Sequence, residues 1–153
     1  MPGCGKTTVG KLLSQKLSRD FYDSDSEIER KYMHSAEFIT TKGEKEFRAA
    51  EHEILGELGR KSGCVIATGG GVVTRNENYD VLRQNSTVIF LKRDISLLAT
   101  ENRPLSKDAQ AVENLYKARL PLYKSFCHAE VDADITPELT CKKIIDILEG
   151  MQI

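Results

Sequence analysis

The chain has 153 residues, of which 40% are hydrophobic and 29% are charged, with 22 basic side chains against 23 acidic ones. This size and composition fit one globular domain with a single core, and the balanced charge gives no bulk attraction to nucleic acid or to an anionic membrane. The longest strongly apolar runs have four or five residues, as at 88–91, which is too short to span a bilayer. We therefore expect neither a nucleic-acid partner nor a membrane partner.

Apolar residues with helical spacing predict two helices in the first half of the chain. Between 9 and 17 they mark one buried face, directly after a glycine-rich opening. Between 47 and 58 they mark a second face, which ends at Gly59 and Gly63. Both segments are long enough for a stable helix that packs its apolar side on a neighbouring layer.

The second half of the chain adds strands and a last helix. Continuous apolar runs at 64–67 and 87–91 predict parallel strands that are buried on both faces. Residues 131–135 alternate between apolar and polar and predict a last short strand. A final helix follows, with Thr136 as its N-cap and Pro137 at its first position. This alternation is typical of an α/β layer fold, here with one domain over the whole chain.

The glycine-rich opening matches most of the phosphate-binding pattern G-x-x-x-x-G-K-[ST]. Its glycines let the backbone curl so that N–H groups point at phosphates, and the first helix adds the positive end of its dipole. Lys6 is expected to bridge the β- and γ-phosphates of ATP, and the Thr7 hydroxyl to ligate Mg²⁺. The alternative is a flexible tail with chance glycines. The matching residues are Gly3, Cys4, Gly5, Lys6, Thr7 and Thr8.

The same pattern would place its first glycine one position before Met1. A loop of this kind normally follows a buried strand. We therefore expect the chain to be N-terminally incomplete, because it is trimmed, starts at a misplaced position or was cut from a longer fused polypeptide. Without that strand, the sheet would expose edges and apolar surface.

Two acidic residues, Asp23 and Asp25, follow the first predicted helix. In an extended stretch, residues two apart point to the same side, so both carboxylates would face one site. One acid would suit a water-bridged Mg²⁺ and the other a substrate hydroxyl. An acidic turn, or the N-cap of a helix over 26–32, is the alternative reading.

Arg48 and Glu51 are three residues apart on a helical pattern and are therefore neighbours on its surface. Glu51 would hold the guanidinium of Arg48 in place, and an arginine held in this way can grip a carboxylate with two parallel hydrogen bonds. An ordinary surface ion pair is the alternative. Gly69, Gly70 and Gly71 follow the predicted strand at 64–67, where α/β folds bind ligands and where glycines let a ligand contact the backbone. A simple loop is the alternative there.

Two more arginines lie beyond the second strand. Arg103 belongs to a polar stretch over 101–110, which suits a lid that closes over the phosphates and excludes water. Arg119, with Pro121 and Tyr123 close behind it, would supply a second cation for an anionic substrate. Taken singly, either arginine also fits a solvated surface position.

Together and in this order, these motifs resemble those of the shikimate kinase family over nearly the whole chain. The motifs are G-x-G-K-T, D-x-D, F-R-x-x-E, G-G-G, R-P-L and R-x-P-x-Y. The resemblance implies a three-layer P-loop NTPase fold, in which helices flank a parallel sheet. It also implies a helical substrate-binding segment at about 27–61 and a lid at about 99–110. This lid is short, and the stretch at 99–102 lacks an arginine that family members often carry.

The resemblance further implies transfer of phosphate from ATP to shikimate, giving shikimate 3-phosphate in the aromatic amino acid pathway, with Mg²⁺ as cofactor. The implied catalytic residues are Lys6, Asp25 and Arg103. The phosphate-loop residues and Arg103 would bind ATP, while Thr7 and Asp23 would hold the metal. The implied shikimate-binding residues are Asp25, Arg48, Gly69, Gly70, Gly71 and Arg119. Two other readings stay open: a related P-loop kinase for another small acid such as gluconate, and an inactive kinase-like binding domain.

The pattern of cysteines indicates in which cell compartment the protein works. They are scattered and show neither a CxxC pair nor a metal-ligand spacing, and no charged-then-apolar leader opens the sequence. We therefore interpret them as reduced thiols of a cytoplasmic protein, either monomeric or part of a longer fused polypeptide. The cysteines are Cys4, Cys64, Cys127 and Cys141.

Overall fold

The computed structural model describes residues 1, 3–97, 109–133 and 135–151. Within these ranges helices and strands alternate along the chain, as the sequence predicts. The helices are α1 (Lys6–Leu17), α2 (Ser24–Lys31), α3 (Ser35–Lys42), α4 (Glu44–Gly59), α5 (Glu77–Arg83), α6 (Ala109–Phe126) and α7 (Pro137–Gly150). The strands are β1 (Asp20–Asp23), β2 (Cys64–Ala67), β3 (Ile89–Lys92) and β4 (Ala129–Asp132). Short 3₁₀ turns cover Val72–Thr74 and Ile95–Leu97.

All strand pairing among the described residues is parallel, and it forms two pairs. In the first pair, β1 runs beside β2 with Asp23 opposite Ala67 at the carboxyl end. In the second pair, β3 runs beside β4 with Lys92 opposite Asp132. The carboxyl ends of β1 and β2 therefore meet at one edge, which brings the acidic pair close to the triple glycine.

A cavity of about 530 Å³ lies between the two strand pairs. Its walls are mainly apolar and come from β2, β3 and the helices α1, α4 and α7. This cavity explains why Val65 and Ile66 are only half-buried, where the apolar run predicts a strand covered on both faces. Its lining includes Met1, Val9, Leu13, Val65, Ile89 and Leu91.

The helices and strands at the two ends of the chain follow the sequence prediction with small shifts. Thr136 accepts a hydrogen bond from the backbone N–H of Leu139 at 3.3 Å, and Pro137 is the first residue of α7, so both parts of that prediction are confirmed. The predicted strand at 131–135 is displaced, because β4 ends at Asp132, where its partner β3 ends, and Ile135 is exposed.

Helices α2, α3 and α4 carry a small apolar core of their own, beside the main core that packs on α1, α6 and α7. This bundle coincides with the helical segment expected at about 27–61. The predicted lid at about 99–110 falls mostly outside the described residues. None of the described helices has the length and apolar character that a membrane span requires. The buried residues of the small core are Ile28, Phe38, Phe47, Ala50, Ile54 and Leu58.

Candidate active site

The phosphate loop turns directly into α1. Gly3 and Gly5 have φ of 77° and 86°, which is left-handed backbone that favours glycine, and Lys6 is the first helical residue. No side chain of the described residues caps this helix, so its first N–H groups stay available for an anion. The Lys6 ammonium donates to the carbonyl of Met1 at 2.7 Å. Thr7 and Thr8 follow in the first turn with exposed side chains.

Cys4 is buried in the same loop, 3.7 Å from the Nζ atom of Lys6. Burial opposes ionisation of its thiol, but the positive charges of Lys6 and of the Met1 amino group lower the pKa of Cys4 below its ordinary value. The loop thus concentrates positive charge at the amino end of α1.

Asp23 connects this loop to the start of α2. One carboxylate oxygen accepts a hydrogen bond from the Thr7 hydroxyl at 2.7 Å. The other oxygen accepts from the backbone N–H groups of Asp25 at 3.0 Å and Ser26 at 3.3 Å, which makes Asp23 the N-cap of α2. The prediction of an extended stretch was therefore wrong, because the chain turns into a helix at Ser24, and the N-cap reading is confirmed. Asp23 nevertheless still faces the phosphate loop.

Asp25 reaches the triple glycine from the first turn of α2. The buried hydroxyl of Ser24 accepts a hydrogen bond from the backbone N–H of Gly69 at 3.0 Å and fixes the two segments together. A methyl group on Gly69 would lie 2.8 Å from a carboxylate oxygen of Asp25 and 2.8 Å from one of Glu51. Two carboxylates thus converge on one glycine.

Arg48 and Glu51 form the ion pair that their spacing predicts, with 2.8 Å between Nη1 and Oε2. The pair is not an ordinary surface one, since the side chains of Arg48 and Glu51 are 15% and 1% exposed. Burial raises the pKa of Glu51, while the charge of Arg48 opposes that rise. The guanidinium lies so close to Gly71 that a methyl group there would overlap it.

Two buried atoms of this pair, Nε of Arg48 and Oε1 of Glu51, have no hydrogen-bond partner among the described residues. Buried polar atoms normally have partners, and exceptions mark places where water or a ligand binds. The orphaned atoms therefore make the space between α4 and the triple glycine a candidate binding site.

Helix α6 closes the other side of the triple glycine. The guanidinium of Arg119 donates to the carbonyl of Gly70 at 3.3 Å, and the hydroxyl of Tyr123 donates to the same oxygen at 2.5 Å. Arg119 is 7% exposed, so the alternative of a solvated surface residue is wrong for it. Arg103 lies outside the described residues.

A buried hydrogen-bonded pair, Asn78 and His52, lies outside the sequence motifs. The amide of Asn78 donates to the carbonyl of Val72 at 2.8 Å, and its oxygen lies 2.6 Å from Nδ1 of His52. Asn78 is fully buried, so these bonds tie the turn after the triple glycine to α4. No local signal in the sequence could have identified this residue, because its partners are 6 and 26 positions away.

The predicted residues thus form two adjoining groups at one edge of the sheet. A helix amino end with a lysine suits phosphate groups, and two largely buried arginines against a glycine loop suit a carboxylate. A carboxylate beside that loop suits a hydroxyl. The first group contains Gly3, Cys4, Gly5, Lys6, Thr7 and Asp23. The second contains Asp25, Arg48, Glu51, Gly69, Gly70, Gly71 and Arg119.

Comparison with known proteins agrees with this arrangement. A family model described as shikimate kinase matches residues 2–149. Among curated proteins, the shikimate kinase of Caldicellulosiruptor bescii is 37% identical over 95% of this chain and 90% of its own length. The shikimate kinase of Clostridium botulinum strain Alaska E43 is 37% identical over 97% of this chain and 93% of its own length.

Solved structures show the same fold. The shikimate kinase of Acinetobacter baumannii, in complex with shikimate, superposes with a TM-score of 0.93 at 34% identity, and the match covers 99% of this chain and 91% of that one. The shikimate kinase of Aquifex aeolicus gives a TM-score of 0.86 at 31% identity, with 99% and 94% covered. The P-loop NTPase fold predicted from the sequence is confirmed by these neighbours. The protein therefore belongs to the shikimate kinase family of phosphotransferases.

Proposed function

We propose that this protein transfers the γ-phosphoryl group of ATP to a ring hydroxyl of shikimate, giving shikimate 3-phosphate and ADP. The observation that carries the proposal is that a phosphate loop and a two-arginine glycine site adjoin at one edge of the sheet, connected through Asp23 and Ser24. Family membership and the shikimate-bound neighbour support the choice of acceptor. Gluconate also carries a carboxylate, so the family match, rather than the arginines, favours shikimate over gluconate.

On the acceptor side, Arg48 and Arg119 would bind the carboxylate of shikimate. Glu51 holds Arg48 by the 2.8 Å ion pair, so the guanidinium is oriented before the acid arrives. Asp25, which faces Gly69, would orient the attacking hydroxyl and take up its proton. The hydroxyl oxygen then forms the new P–O bond while the bond from the γ-phosphorus to the ADP oxygen breaks.

On the nucleotide side, positioning and charge stabilisation dominate phosphoryl transfer. Lys6 and the amino end of α1 would bind the phosphates, in which case Lys6 exchanges its bond to the Met1 carbonyl for one to phosphate oxygens. Arg103 would act on the transferring group from the lid, and this role rests on the sequence motif alone. The lid would exclude water from the site.

Thr7 and Asp23 fit a magnesium ion by their chemistry. A hydroxyl and a carboxylate oxygen lie 2.7 Å apart beside the phosphate loop, and Mg²⁺ prefers oxygen ligands and takes few of them from the protein. When bound, Mg²⁺ would neutralise charge on the phosphate oxygens. The contribution of the chain is to hold Thr7 and Asp23 against each other, because Asp23 is fixed as the cap of α2.

A coupled assay of ADP release with MgATP and shikimate tests the proposal. We expect shikimate-dependent release, and we expect Lys6→Ala to abolish it while the protein stays folded, since Lys6 is only half-buried. ADP release that depends on gluconate and not on shikimate would show that the protein is a related P-loop kinase for another small acid. A folded chain that binds nucleotide but releases no ADP with any acceptor would support the binding-domain reading.

Three other expectations remain proposals. We propose that residues 1–153 form one domain, with the lid at about 99–110, and that the protein acts as a monomer or within a longer polypeptide. We propose a cytoplasmic location, which the four free thiols support. Light scattering of the purified chain tests the oligomeric state.

A further inference from the structure

Arg93 follows β3 directly and lies at the carboxyl end of the second strand pair. Ligands of open α/β folds bind at this edge of the sheet. The guanidinium lies near the phosphate loop, since a methyl group on Gly5 would lie 3.8 Å from Nη1 of Arg93. No motif of the sequence singles out this residue.

One polar atom of Arg93 has no partner among the residues that the structure describes. Its Nε atom is buried and has no hydrogen-bond partner within the described ranges. The neighbouring Lys92 differs, because its ammonium pairs with Glu130 at 3.5 Å and Asp132 at 3.2 Å. The carboxylate of Asp94 accepts from the backbone N–H of Ser96 at 2.8 Å and from its hydroxyl at 2.6 Å.

Positive charge gathers at the amino end of α1. This end is the positive end of the helix dipole, and Lys6 adds a full charge there. A further guanidinium beside Gly5 makes the same place more favourable for a bound anion. The phosphate groups of a nucleotide carry the required charge, and a guanidinium donates to phosphate oxygens through two parallel N–H groups.

We propose that Arg93 binds the diphosphate part of the nucleotide, and this rests on the nucleotide site of the proposed function. The sequence gives this cation a role, because no lysine or arginine occurs from 94 to 102, ahead of the lid residue Arg103. In this protein, Arg93 would supply from the end of β3 a positive charge in addition to that of Arg103.

Calorimetric titration of the protein with MgADP, without any acceptor, tests the inference. Arg93→Gln should weaken MgADP binding roughly tenfold, as expected for loss of a charge-assisted hydrogen bond. The MgADP affinity of Arg93→Lys should lie between those of the parent and of Arg93→Gln, because a lysine keeps the charge and loses the second parallel hydrogen bond. Lys92→Gln is the matched control, and it should bind MgADP like the parent.

The steady-state constants separate binding from a structural role. Arg93→Gln should raise the KM for ATP and leave the KM for shikimate and the nucleotide-free thermal midpoint unchanged. MgADP affinity equal to that of the parent, or an equal loss in Lys92→Gln, would overturn the inference. If the parent binds MgADP and Arg93→Gln does not, the inference stands even when shikimate fails as acceptor, so the two proposals fail separately. A parent chain that binds no MgADP would overturn both.

Discussion

Two of the three consecutive glycines are needed for space. Gly71 has φ of −93°, a conformation open to any residue, yet a side chain there would overlap the guanidinium of Arg48. A side chain on Gly69 would likewise crowd the carboxylates of Asp25 and Glu51. Gly69 and Gly71 therefore leave room for charged side chains of the protein itself to approach the loop. The sequence predicts only that the glycines let a ligand contact the backbone.

Gly71→Ala tests this steric role. The added methyl group should displace Arg48 from the acceptor site and raise the KM for shikimate roughly tenfold or more, as for loss of a charge-assisted contact, with little change in the KM for ATP. Gly56→Ala is the control, because no heavy atom lies within 4 Å of the added methyl group and alanine favours the helix. Initial-rate kinetics with each substrate varied would measure both constants, and an unchanged KM for shikimate would contradict the prediction.

Tyr123 holds the middle glycine from the opposite side. Tyr123→Phe removes the hydrogen bond to the carbonyl of Gly70 and keeps the ring stacked on Phe90, whose centroid is 4.9 Å away. We expect the free energy of unfolding to fall by about 1 kcal/mol and the KM for shikimate to rise. Urea denaturation and initial rates would measure these effects.

The exposed Tyr79 offers a control for that substitution, and Tyr79→Phe should change neither quantity. Burial raises the pKa of Tyr123, so its hydroxyl stays protonated and able to donate at neutral and mildly alkaline pH. A parent-like KM and stability in Tyr123→Phe would show that the Gly70 carbonyl does not need the hydrogen bond from Tyr123.

At the scale of elements, α2 begins directly after Asp23, the carboxylate that we propose as a metal ligand. Asp23 ends β1, caps α2 and bonds to Thr7, so a single side chain serves both fold and site. The sequence contains the cap signal, because an acid precedes a helical segment that opens with further acids. The prediction of an extended stretch was wrong because it placed both Asp23 and Asp25 in a strand, whereas Asp25 lies in the first turn of α2.

Substitution of Asp23 separates the two tasks. Asp23→Asn keeps an N-cap and should leave the free energy of unfolding within a few tenths of a kcal/mol, whereas Asp23→Ala should lower it by about 1 kcal/mol. Both variants should lose turnover, because neither offers a carboxylate to the metal, and added Mg²⁺ should restore part of it. Chemical denaturation and turnover as a function of Mg²⁺ concentration would measure this. Full activity of Asp23→Asn at low Mg²⁺ would remove Asp23 from the metal site.

The sequence predicts best what depends on near neighbours. The faces of α1 and α4, the strand β2 and the cap of α7 follow from apolar spacing and cap residues within one or two turns. The Arg48–Glu51 pair also follows, because its members are three apart. Contacts between distant segments did not follow from spacing, and the bonds of Gly69 to Ser24 and of Gly70 to Tyr123 span 45 and 53 residues. Those contacts come from the packing of α2 and α6 on the sheet edge.

At the scale of the molecule, we predict that one more strand fits between the two strand pairs. Such a strand would hydrogen-bond to the facing edges of β2 and β3. The 530 Å³ cavity between them is lined mainly by apolar side chains, as the seat of a buried strand would be. Met1 lines it and is 4% exposed, so polypeptide joined to its amino group would enter the cavity.

The amino group of Met1 makes the stability of this chain depend on pH. Burial lowers its pKa from 8.0 to about 5. Between these values the unfolded chain binds more protons than the folded one, so stability should rise as the pH increases from about 5 to 8. An amide in place of the amine has no proton to bind, and extension of the chain should remove this contribution.

An upstream extension tests both points in one experiment. We would join about five β-branched and apolar residues and a glycine to Met1, which completes the phosphate-loop pattern after a strand of ordinary length. The thermal midpoint should rise by roughly 5 °C or more through apolar burial and strand pairing, and by more at pH 6 than at pH 8. A matched extension with prolines at alternate positions cannot pair as a central strand and should lack the gain from pairing. Equal midpoints for the two extensions would mean that the cavity does not accept a strand, and the rise would then reflect only removal of the buried amine.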